Sequence, residues 1–397
     1  MLNKKYCVIG TGYIGLPCAV MLAHAGCKVL GYDVNKHVVD SINKGTIHVE
    51  QELKNLLESD TVKNNLRVST VIEAADIFIV AVPTPIDHRK KTAELSALIK
   101  SVGSILSVLK KGDLIIIEST IPPLTIKNLI SPMLEKAGFN LGKDVFLAHC
   151  PERLLPGNII YEIVNNNRII GGIDPISAEM AAEVYKLFVK GQINITDATT
   201  AEMCKLMENT YRDVNIALAN ELSDVCDDIG INIDEAIDLA NLHPRVNFLK
   251  PGIGVGGHCL PIDPWFIHEI SPYHSTMIMT ARHINDNRPE KIAAKIRREI
   301  STDITQKILL LGKTYKTETN DVRESPAMEI YNLLLNDGYS VYSFDTEVDE
   351  GQLLRQYLRE CSFVFILVPH KKMIEELYII VNEMKKNSCK VPKIIKY

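Results

Sequence analysis

Several features that mark other classes of protein are missing from this 397-residue sequence. No apolar run reaches the ~20 residues that a membrane span needs, so we expect no membrane partner. The net charge is −5 without charge blocks, which argues against electrostatic capture of nucleic acid. Glycines interrupt the apolar part of the N-terminal stretch "MLNKKYCVIGTGYIGLP", so we expect a first strand there rather than a signal peptide.

The cysteines also lack the pairing that a disulfide or zinc framework needs. There are nine of them, an odd number, and they are scattered without any CxxC pair. This pattern suits reduced thiols in a cytoplasmic enzyme, and it predicts no metal site.

The order of strand-like and helix-like segments predicts an α/β fold. Short β-branched runs alternate with helix-like stretches over the first ~195 residues, as in a parallel sheet covered by helices. The segment 199–228 contains neither Gly nor Pro and predicts one long helix. Strand-like runs return from Lys307. We therefore predict two Rossmann-like parallel-sheet domains joined by a long central helix, with domains at 1–197, 198–300 and 301–397. The predicted strands are 6–10, 28–33, 76–82, 113–119, 145–149, 168–172, 307–312, 339–345 and 363–369.

The stretch "VIGTGYIGLP" predicts a dinucleotide site between the first strand and a helix. Gly10 permits the tight turn, Gly12 lets the backbone approach a pyrophosphate, and Gly15 lets helix and strand pack closely. The next strand ends in Asp33, where a carboxylate would bind the ribose hydroxyls and repel a 2′-phosphate. NAD is therefore the expected cofactor; a dinucleotide fold that has lost its ligand is the alternative. The other candidate cofactor contacts in this sheet edge are Tyr13, Ile14, Val82, Pro83 and Thr84.

A second candidate site surrounds Cys259 in "GVGGHCLPIDP" (254–264). A free cysteine is usually buried and inert, but glycines here would let the backbone come close to a ligand. Beside a dinucleotide site, a thiolate could add to an aldehyde made from an alcohol, and the adduct could be oxidised to a thioester that water then releases as an acid.

That scheme needs a base and groups that stabilise alkoxides. Glu202, Lys205 and Asn209 share one face of the long helix, and "HCPERLLPG" (149–157) supplies Glu152 and Arg153. Both sets also have a plain structural interpretation, as residues of an exposed helix and as a loop salt bridge.

Six motifs occur in an order that resembles the nucleotide-sugar 6-dehydrogenases, the family of UDP-glucose and GDP-mannose dehydrogenases. They are the glycine motif at 10–15, "EST" (118–120), "PERLLPG" (151–157), "AEMCKLMEN" (201–209), "GVGGHCLPIDP" (254–264) and "NDVRESP" (320–326). The resemblance covers nearly the whole chain. It implies an NAD-binding N-terminal domain, a central helical dimerisation region and a C-terminal domain that holds the nucleotide of a UDP-sugar.

The resemblance also implies residue roles. Cys259 would carry the thioester, and Lys205 and Asp263 would position water and stabilise oxyanions. Asn209 and Thr120 would donate to the reacting oxygen, and Glu152 would assist hydrolysis. Arg323 would lie near the nucleotides as a cofactor contact, while Arg245 would reach the sugar site of the other subunit of a homodimer. Further expected substrate contacts are Arg153, Leu154, Arg212, His243, Gly256, His258 and Lys316.

Residues around the cysteine are similar to the branch of the family that acts on N-acetylated sugars. Ile262 and His258 stand where glucose-type members differ, and "NLHPRVN" (241–247) and "DPWF" (263–266) resemble the UDP-N-acetylmannosamine dehydrogenases most. We therefore predict oxidation of C6 of a UDP-N-acetylhexosamine, most closely UDP-N-acetyl-D-mannosamine, to the uronate, for a surface polysaccharide or capsule. His258 has an alternative role, as a residue that only braces the turn.

Other functions remain open at this point. Pro261 is commoner in enzymes that act on UDP-N-acetylglucosamine, and UDP-glucose is a further alternative substrate. A two-electron hydroxyacid dehydrogenase would need a lysine but no cysteine. A non-catalytic nucleotide-sugar sensor would keep the fold without the chemistry. The chain also ends at "KVPKIIKY" without the longer tail of many relatives, which raises the expectation of a compressed nucleotide domain.

Overall fold

A computed structural model describes residues 1–47, 49–154, 157–300, 306–349 and 353–397. The chain divides into two compact units. The first unit contains Met1–Glu208 and Trp265–Pro272, and the second contains Asn209–Pro264 and Tyr273–Tyr397.

The strands of the first unit belong to a large sheet and a short hairpin. They are β1 (Lys5–Ile9), β2 (Lys28–Tyr32), β3 (Leu66–Ser69), β4 (Ile77–Val80), β5 (Ile86–Asp87), β6 (Thr92–Ala93), β7 (Leu114–Ile117), β8 (Phe146–His149), β9 (Arg168–Gly172) and β10 (Ile193–Asp197). The helices up to the long helix are α1 (Gly15–His24), α2 (Lys36–Asn43), α3 (Gln51–Glu58), α4 (Asp60–Asn65), α5 (Ser96–Leu106), α6 (Ser131–Lys136), α7 (Ile159–Asn165) and α8 (Pro175–Tyr185). A π-helical turn, Ile126–Ile130, precedes α6.

Within the described residues, the large sheet has eight strands in the order β10-β9-β8-β7-β4-β1-β2-β3. The central strands β4 and β7 are buried along their whole length, as expected for parallel strands covered by helices on both faces. Val8 and Ile79 join a core on one face of the sheet, and Cys7 and Phe78 join a core on the other. This alternation along β1 and β4 follows from the two-residue period of a strand.

One part of the large sheet departs from the predicted parallel arrangement. β9 pairs antiparallel with β8 through two residue pairs, Ala148 with Gly172 and His149 with Gly171, and β10 then runs parallel to β9. A run of β-branched residues predicts that a strand forms but not its direction, which depends on the path of the connecting chain. The sheet is therefore dominated by parallel pairs without being wholly parallel.

The long helix α9 spans Ala198–Ile229, which confirms the helix predicted over 199–228. It belongs to the first unit as far as Glu208 and to the second from Asn209. The helices that follow are α10 (Ile233–Ala240), α11 (Asp263–Ile270), α12 (Thr276–Asp286) and α13 (Arg288–Ile300), with a short 3₁₀ helix at Pro272–His274.

The second unit carries a smaller sheet. Its strands are β11 (Lys307–Leu311), β12 (Ser340–Phe344), β13 (Phe363–Ile366) and β14 (Lys393–Lys396), and its remaining helices are α14 (Pro326–Asn336), α15 (Leu353–Glu360) and α16 (Lys371–Lys386). The strands lie in the order β12-β11-β13-β14, and all of the pairs are parallel.

The predicted fold class is confirmed, and the predicted strands are present with ends that differ by at most three residues. β3, β10, β14 and the β5–β6 hairpin were not predicted. β14 lies within "KVPKIIKY" and forms an edge strand of the smaller sheet.

Candidate active site

The turn after β1 has the shape of a dinucleotide cradle. Gly10 has φ +86°, and a Cβ on it would lie 2.5 Å from the Ala81 carbonyl oxygen. A Cβ on Gly15 would lie 1.8 Å from the Gly10 carbonyl oxygen, whereas one on Gly12 would meet nothing within 4 Å. Two glycines are thus required by packing inside the turn, and the third leaves its backbone open to an approaching ligand.

Asp33 follows β2 and is tied to the same turn. One carboxylate oxygen accepts hydrogen bonds from the Thr11 backbone N–H at 2.9 Å and the Thr11 hydroxyl at 3.2 Å. The other oxygen accepts from the Asn35 N–H at 2.9 Å. A carboxylate has more lone pairs than these contacts use, and Asp33 is half-buried rather than sealed, so it can also accept from ribose hydroxyls.

The ends of β4 and β7 are joined at this edge by side-chain hydrogen bonds. The Ser119 hydroxyl donates to the Val82 carbonyl at 2.7 Å and accepts from the Val82 N–H at 2.9 Å. The Thr84 hydroxyl donates to the Thr120 carbonyl at 2.6 Å. The predicted contacts Val82, Thr84 and Thr120 are therefore held beside one another at the edge where ligands bind in open α/β sheets.

The remaining predicted cofactor contacts of the first unit lie at the same end of the sheet. Tyr13 is exposed, Ile14 is half-buried at the N-cap of α1, and Pro83 is exposed. A helix N-terminus offers backbone N–H groups to anions, and the Ile14 side chain cannot accept a hydrogen bond from them. The glycine turn, Asp33 and this helix end together fit a dinucleotide.

Glu152 is buried in the first unit, on the segment after β8. It is only 8% exposed, and one of its oxygens accepts a hydrogen bond from the Leu154 N–H. Burial raises the pKa of Glu152 to about 7, and nearby Arg168 and Lys205 oppose that rise. A carboxyl that titrates near neutral pH suits general acid–base work.

Behind Glu152 lies a buried polar cluster. Glu118 accepts hydrogen bonds from the Tyr185 hydroxyl at 2.6 Å and the Cys18 thiol at 3.7 Å. The guanidinium carbon of Arg168 lies 5.5 Å from the centre of the Tyr185 ring, and this side chain is almost fully buried. Among the described residues, Arg168 Nε and Nη1 and Glu118 Oε2 have no hydrogen-bond partner. Arg168 is therefore the cation that lies near the carboxyl groups of Glu118 and Glu152. The negative charge of Glu118 helps to raise the pKa of Glu152.

Arg153 is held in place by the long helix. Its Nε and Nη2 pair with the two carboxylate oxygens of Glu208 at 3.1 and 2.6 Å, and its Nη1 donates to the Asn167 carbonyl at 3.0 Å. Leu154 beside it is half-buried. The alternative interpretation of Arg153 as a loop salt bridge is thus realised in the structure, and a substrate contact from this residue stays a prediction.

Two candidate residues on α9, Glu202 and Lys205, have different surroundings in the first unit. Glu202 is buried and accepts from the backbone N–H groups of Leu124 at 2.6 Å and Ile126 at 2.8 Å. It therefore caps the turn before the π-helical segment rather than facing solvent. Lys205 is half-buried and close enough to Glu152 to lower the pKa of that carboxyl.

In the second unit, Asn209 and Asp263 are joined. The Asn209 side-chain amide donates to an Asp263 carboxylate oxygen at 2.6 Å, and both side chains are buried. The Cys259 carbonyl accepts from the Ile262 and Asp263 N–H groups at 3.0 and 2.9 Å, so the cysteine lies in the turn that leads into α11. Its side chain is exposed, which is the arrangement that a nucleophile requires.

His258, next to the cysteine, contacts the "NDVRESP" motif. Arg323 makes two hydrogen bonds to the Asp321 carboxylate, at 2.9 and 2.6 Å, and its Nη2 lies 3.2 Å from His258 Nε2. Because a guanidinium can only donate, His258 Nε2 is the acceptor. Burial and then the Arg323 charge lower the pKa of His258. Arg323 thus lies beside the cysteine loop, and its expected contact with the cofactor stays a prediction.

The other predicted substrate residues of the second unit lie on its surface or in loops. Arg212, His243 and Arg245 are exposed, and Lys316 is half-buried with its Nζ 5.8 Å from the centre of the Tyr315 ring. Gly256 packs so closely that a Cβ would lie 2.4 Å from the Glu324 carbonyl oxygen.

A fully buried cluster at the edge of the smaller sheet was missed from the sequence. His370 Nε2 lies 2.8 Å from the Thr314 hydroxyl and 3.1 Å from the Asp345 carboxylate, and His370 Nδ1 accepts from the Glu318 N–H at 3.0 Å. Asp345 also accepts from the Lys313 N–H at 2.7 Å. The sequence does contain a sign of this cluster: Asp345 follows β12 in "YSFD", and His370 lies shortly after β13 in "LVPH".

Two kinds of feature are absent from the residues that the structure describes. No group of three or more His, Cys, Asp or Glu side chains in those ranges is arranged to hold a metal ion. Within the same ranges, no helix combines the length and apolar character needed to cross a lipid bilayer.

Known proteins identify the family. Models of the UDP-glucose/GDP-mannose dehydrogenase family match the chain along its length: the NAD binding domain at residues 4–189, the central domain at 199–287 and the UDP binding domain at 309–390. The chain belongs to this family. The prediction of an NAD-dependent UDP-sugar dehydrogenase with NAD as its cofactor is confirmed at this level.

Similar individual proteins carry more specific names. The UDP-N-acetyl-D-mannosamine dehydrogenase of Methanocaldococcus jannaschii is 50% identical over 348 residues, which cover 87% of this chain and 79% of that protein. The enzyme of the same name from Campylobacter jejuni is 43% identical over 393 residues, 94% of this chain and 97% of that one. The solved structure of UDP-D-ManNAc dehydrogenase from Pyrococcus horikoshii is 37% identical, with a TM-score of 0.91 over 99% of this chain and 94% of that chain.

Proposed function

We propose that this enzyme oxidises C6 of a UDP-N-acetylhexosamine, with UDP-N-acetyl-D-mannosamine as the preferred substrate, to the corresponding uronate. The observation that carries the chemistry is an exposed thiol, Cys259, in a turn directly before Asp263, whose carboxylate is held by Asn209. The names of the similar proteins and the residues His258 and Ile262 support the choice of sugar. NAD, when bound, accepts a hydride in each of two oxidations.

Cys259 is the proposed nucleophile. Its thiolate adds to the C6 aldehyde and forms a thiohemiacetal, which a second two-electron oxidation converts into a thioester. Water then attacks the thioester carbon, the C–S bond breaks, and the carboxylate leaves while the thiol is regenerated. The overall change consumes one water and two NAD for each alcohol oxidised.

Asn209 and Asp263 are proposed to act as one unit. The 2.6 Å hydrogen bond fixes the Asn209 amide with one N–H on Asp263, and an amide nitrogen carries a second N–H. That second donor is suited to an oxyanion, since preorganised donors stabilise developing charge without reorganisation. Lys205 is proposed to supply a positive charge for the same purpose, and the Thr120 hydroxyl a further donor.

Glu152 is proposed to take the proton from the hydrolytic water. With a pKa raised to about 7, it exists partly as a carboxylate at neutral pH and can both accept and return a proton. Lys205, whose charge favours the ionised form of Glu152, keeps the basic form available.

The variant that tests this proposal most simply is Cys259→Ser. A serine hydroxyl is a far weaker nucleophile at neutral pH, so we expect a loss of turnover of at least ~10³-fold, with NAD and UDP-sugar binding retained in calorimetric titrations. Full turnover in this variant would eliminate the thioester route. Cys389→Ser, which removes another exposed cysteine, is the matched control and should retain wild-type activity.

The sugar is tested by initial rates of NADH formation with UDP-sugars that differ at C2 and in the N-acetyl group. We expect the highest kcat/KM for UDP-N-acetyl-D-mannosamine. A higher value for UDP-N-acetylglucosamine or UDP-glucose would select one of the alternative substrates, and no NADH with any of them would favour a sensor. The proposal also includes a homodimer to which Arg245 contributes, a cytoplasmic location and a role in capsule synthesis.

A further inference from the structure

Tyr315 lies on the loop after β11 and packs against the glycines that precede Cys259. A Cβ on Gly257 would lie 2.9 Å from Cε2 of the Tyr315 ring, and one on Gly256 would lie 2.8 Å from the Tyr315 Cβ. The ring therefore occupies the space that a side chain at Gly257 would need, whereas at Gly256 the Tyr315 Cβ shares that role with the Glu324 carbonyl oxygen and Pro326. Gly257 also has φ +85°, so its backbone is held in a conformation that glycine adopts most easily.

The same ring lies beside the two residues that follow Gly257. The centres of the Tyr315 and His258 rings are 6.2 Å apart. Burial raises the pKa of the Tyr315 phenol, and the negative charges of Asp321 and the Cys259 thiolate add to that rise. The phenol is thus close enough to the sulfur for the two groups to affect one another electrostatically.

On its other side, Tyr315 belongs to a loop that is rigidly anchored. The Tyr315 N–H donates to the Asp321 carbonyl at 3.1 Å, and the Thr314 hydroxyl donates to the Lys316 carbonyl at 2.8 Å. Thr314 is in turn fixed by the buried His370. This loop follows the central strand of the smaller sheet, at the edge where open parallel sheets bind ligands.

We propose that Tyr315 is a positioning residue that links occupancy of the nucleotide site at the loop after β11 to the placement of the Cys259 thiol. The inference rests on the proposed function, in which Cys259 is the nucleophile. It also takes the UDP of the substrate to bind at this loop, which lies in the match to the UDP binding domain and carries the predicted substrate contact Lys316. A ligand on this loop favours one arrangement of Tyr315, and the ring transmits that preference to Gly257, against which it packs directly. Binding of the nucleotide would then select the arrangement of the cysteine turn that is competent for attack.

The test measures the reactivity of Cys259 rather than turnover. Alkylation of Cys259 by iodoacetamide is followed by mass spectrometry of its peptide, in a Cys389→Ser background, with and without saturating UDP. UDP carries no hexose, so no sugar shields the sulfur. We expect UDP to change the alkylation rate by about fivefold, the lower end of typical coupling between sites. Tyr315→Phe, which keeps the ring, should behave in the same way, whereas Tyr315→Ala should lose the effect although UDP still binds.

Activity measurements give an independent readout of the same variants. Tyr315→Ala should lower kcat by more than it raises KM for the UDP-sugar, since the nucleotide contacts stay but the thiol is misplaced. Tyr378→Ala, which removes an exposed tyrosine from α16, is the matched control and should keep both the UDP effect and the kinetics. If thermal melts show that Tyr315→Ala does not fold, Tyr315→Leu takes its place.

Three results would overturn the inference. An equal UDP effect in Tyr315→Ala would mean that the nucleotide shields or shifts Cys259 without this ring. No UDP effect in the wild type, with UDP binding shown by calorimetry, would mean that the two sites are not linked. No UDP binding to the wild type would remove the proposed function itself, and the inference with it.

Discussion

The two sheets have similar turns after β1 and β11, and in each a backbone N–H of the turn donates to a carboxylate after the neighbouring strand. The two carboxylates differ in how deeply they are buried. In the larger sheet, Gly10 follows β1, and the next N–H, from Thr11, donates to Asp33 after β2. In the smaller sheet, Gly312, with φ +98°, follows β11, and the next N–H, from Lys313, donates to Asp345 after β12. Asp33 is half-buried, whereas Asp345 is fully buried.

The neighbours of each carboxylate explain that difference. Asp345 is covered by the His370 ring and also accepts from the Thr314 backbone N–H, so its acceptor capacity is used inside the protein. Within the part of the chain that the structure describes, Asp33 accepts from two backbone N–H groups and the Thr11 hydroxyl, which leaves acceptor capacity for the ribose hydroxyls that we expect there. The shared topology thus determines where the acidic residue lies, and the residues packed on it determine whether its carboxylate stays accessible or is enclosed in the protein.

The largest expected effect comes from the glycines of the first edge. Gly10→Ala places a Cβ 2.5 Å from a backbone oxygen at a positive φ, so we expect it to lower the free energy of unfolding by at least ~1–2 kcal/mol. Gly12→Ala meets nothing nearby and should leave stability unchanged while weakening NAD. Urea unfolding and NAD titration of both variants check this; equal destabilisation by both would contradict the assigned roles.

Asp33→Asn and Asp345→Asn test the comparison itself. Asp33→Asn should raise the Kd for NAD by roughly tenfold to a hundredfold, since a hydrogen bond to a charged acceptor contributes ~1.5–3 kcal/mol, with little change in Tm. Asp345→Asn should lower Tm, because a buried network loses its charge, with NAD affinity unchanged. Calorimetry and thermal melts measure both quantities. The opposite assignment, with Asp345 controlling NAD affinity, would break the comparison.

The smallest expected effect applies the same distinction inside the first unit, where Glu118 is hydrogen-bonded within the protein and Glu152 is the proposed base. Glu118→Gln keeps an acceptor for Tyr185 but removes a negative charge that raises the pKa of Glu152. As a base, Glu152 is active above its pKa, so turnover should fall as the pH drops through about 7 in the wild type. In the variant, that fall should move to lower pH. A kcat profile displaced to higher pH would mean that Glu118 does not act on Glu152 in this way.

The sequence predicts well those features that depend on residues close together along the chain. The glycine turn and Asp33 follow from adjacent strand ends, and the long helix follows from the absence of Gly and Pro. Contacts between distant segments could not be predicted: Glu202 caps the N–H groups of Leu124 and Ile126. Likewise, Tyr315 fills the space beside Gly257. The antiparallel direction of β9 depends on the path of the connection, which no pattern within the strand encodes.

In the proposed mechanism, Cys259 holds the sugar covalently between the two oxidations. The most direct measurement is the number of NADH formed for each UDP-N-acetylhexosamine consumed, counted at complete conversion with NAD in excess. The thioester route predicts two NADH for each sugar and a uronate product. One NADH for each sugar, with an aldehyde or ketone as the final product, would contradict it.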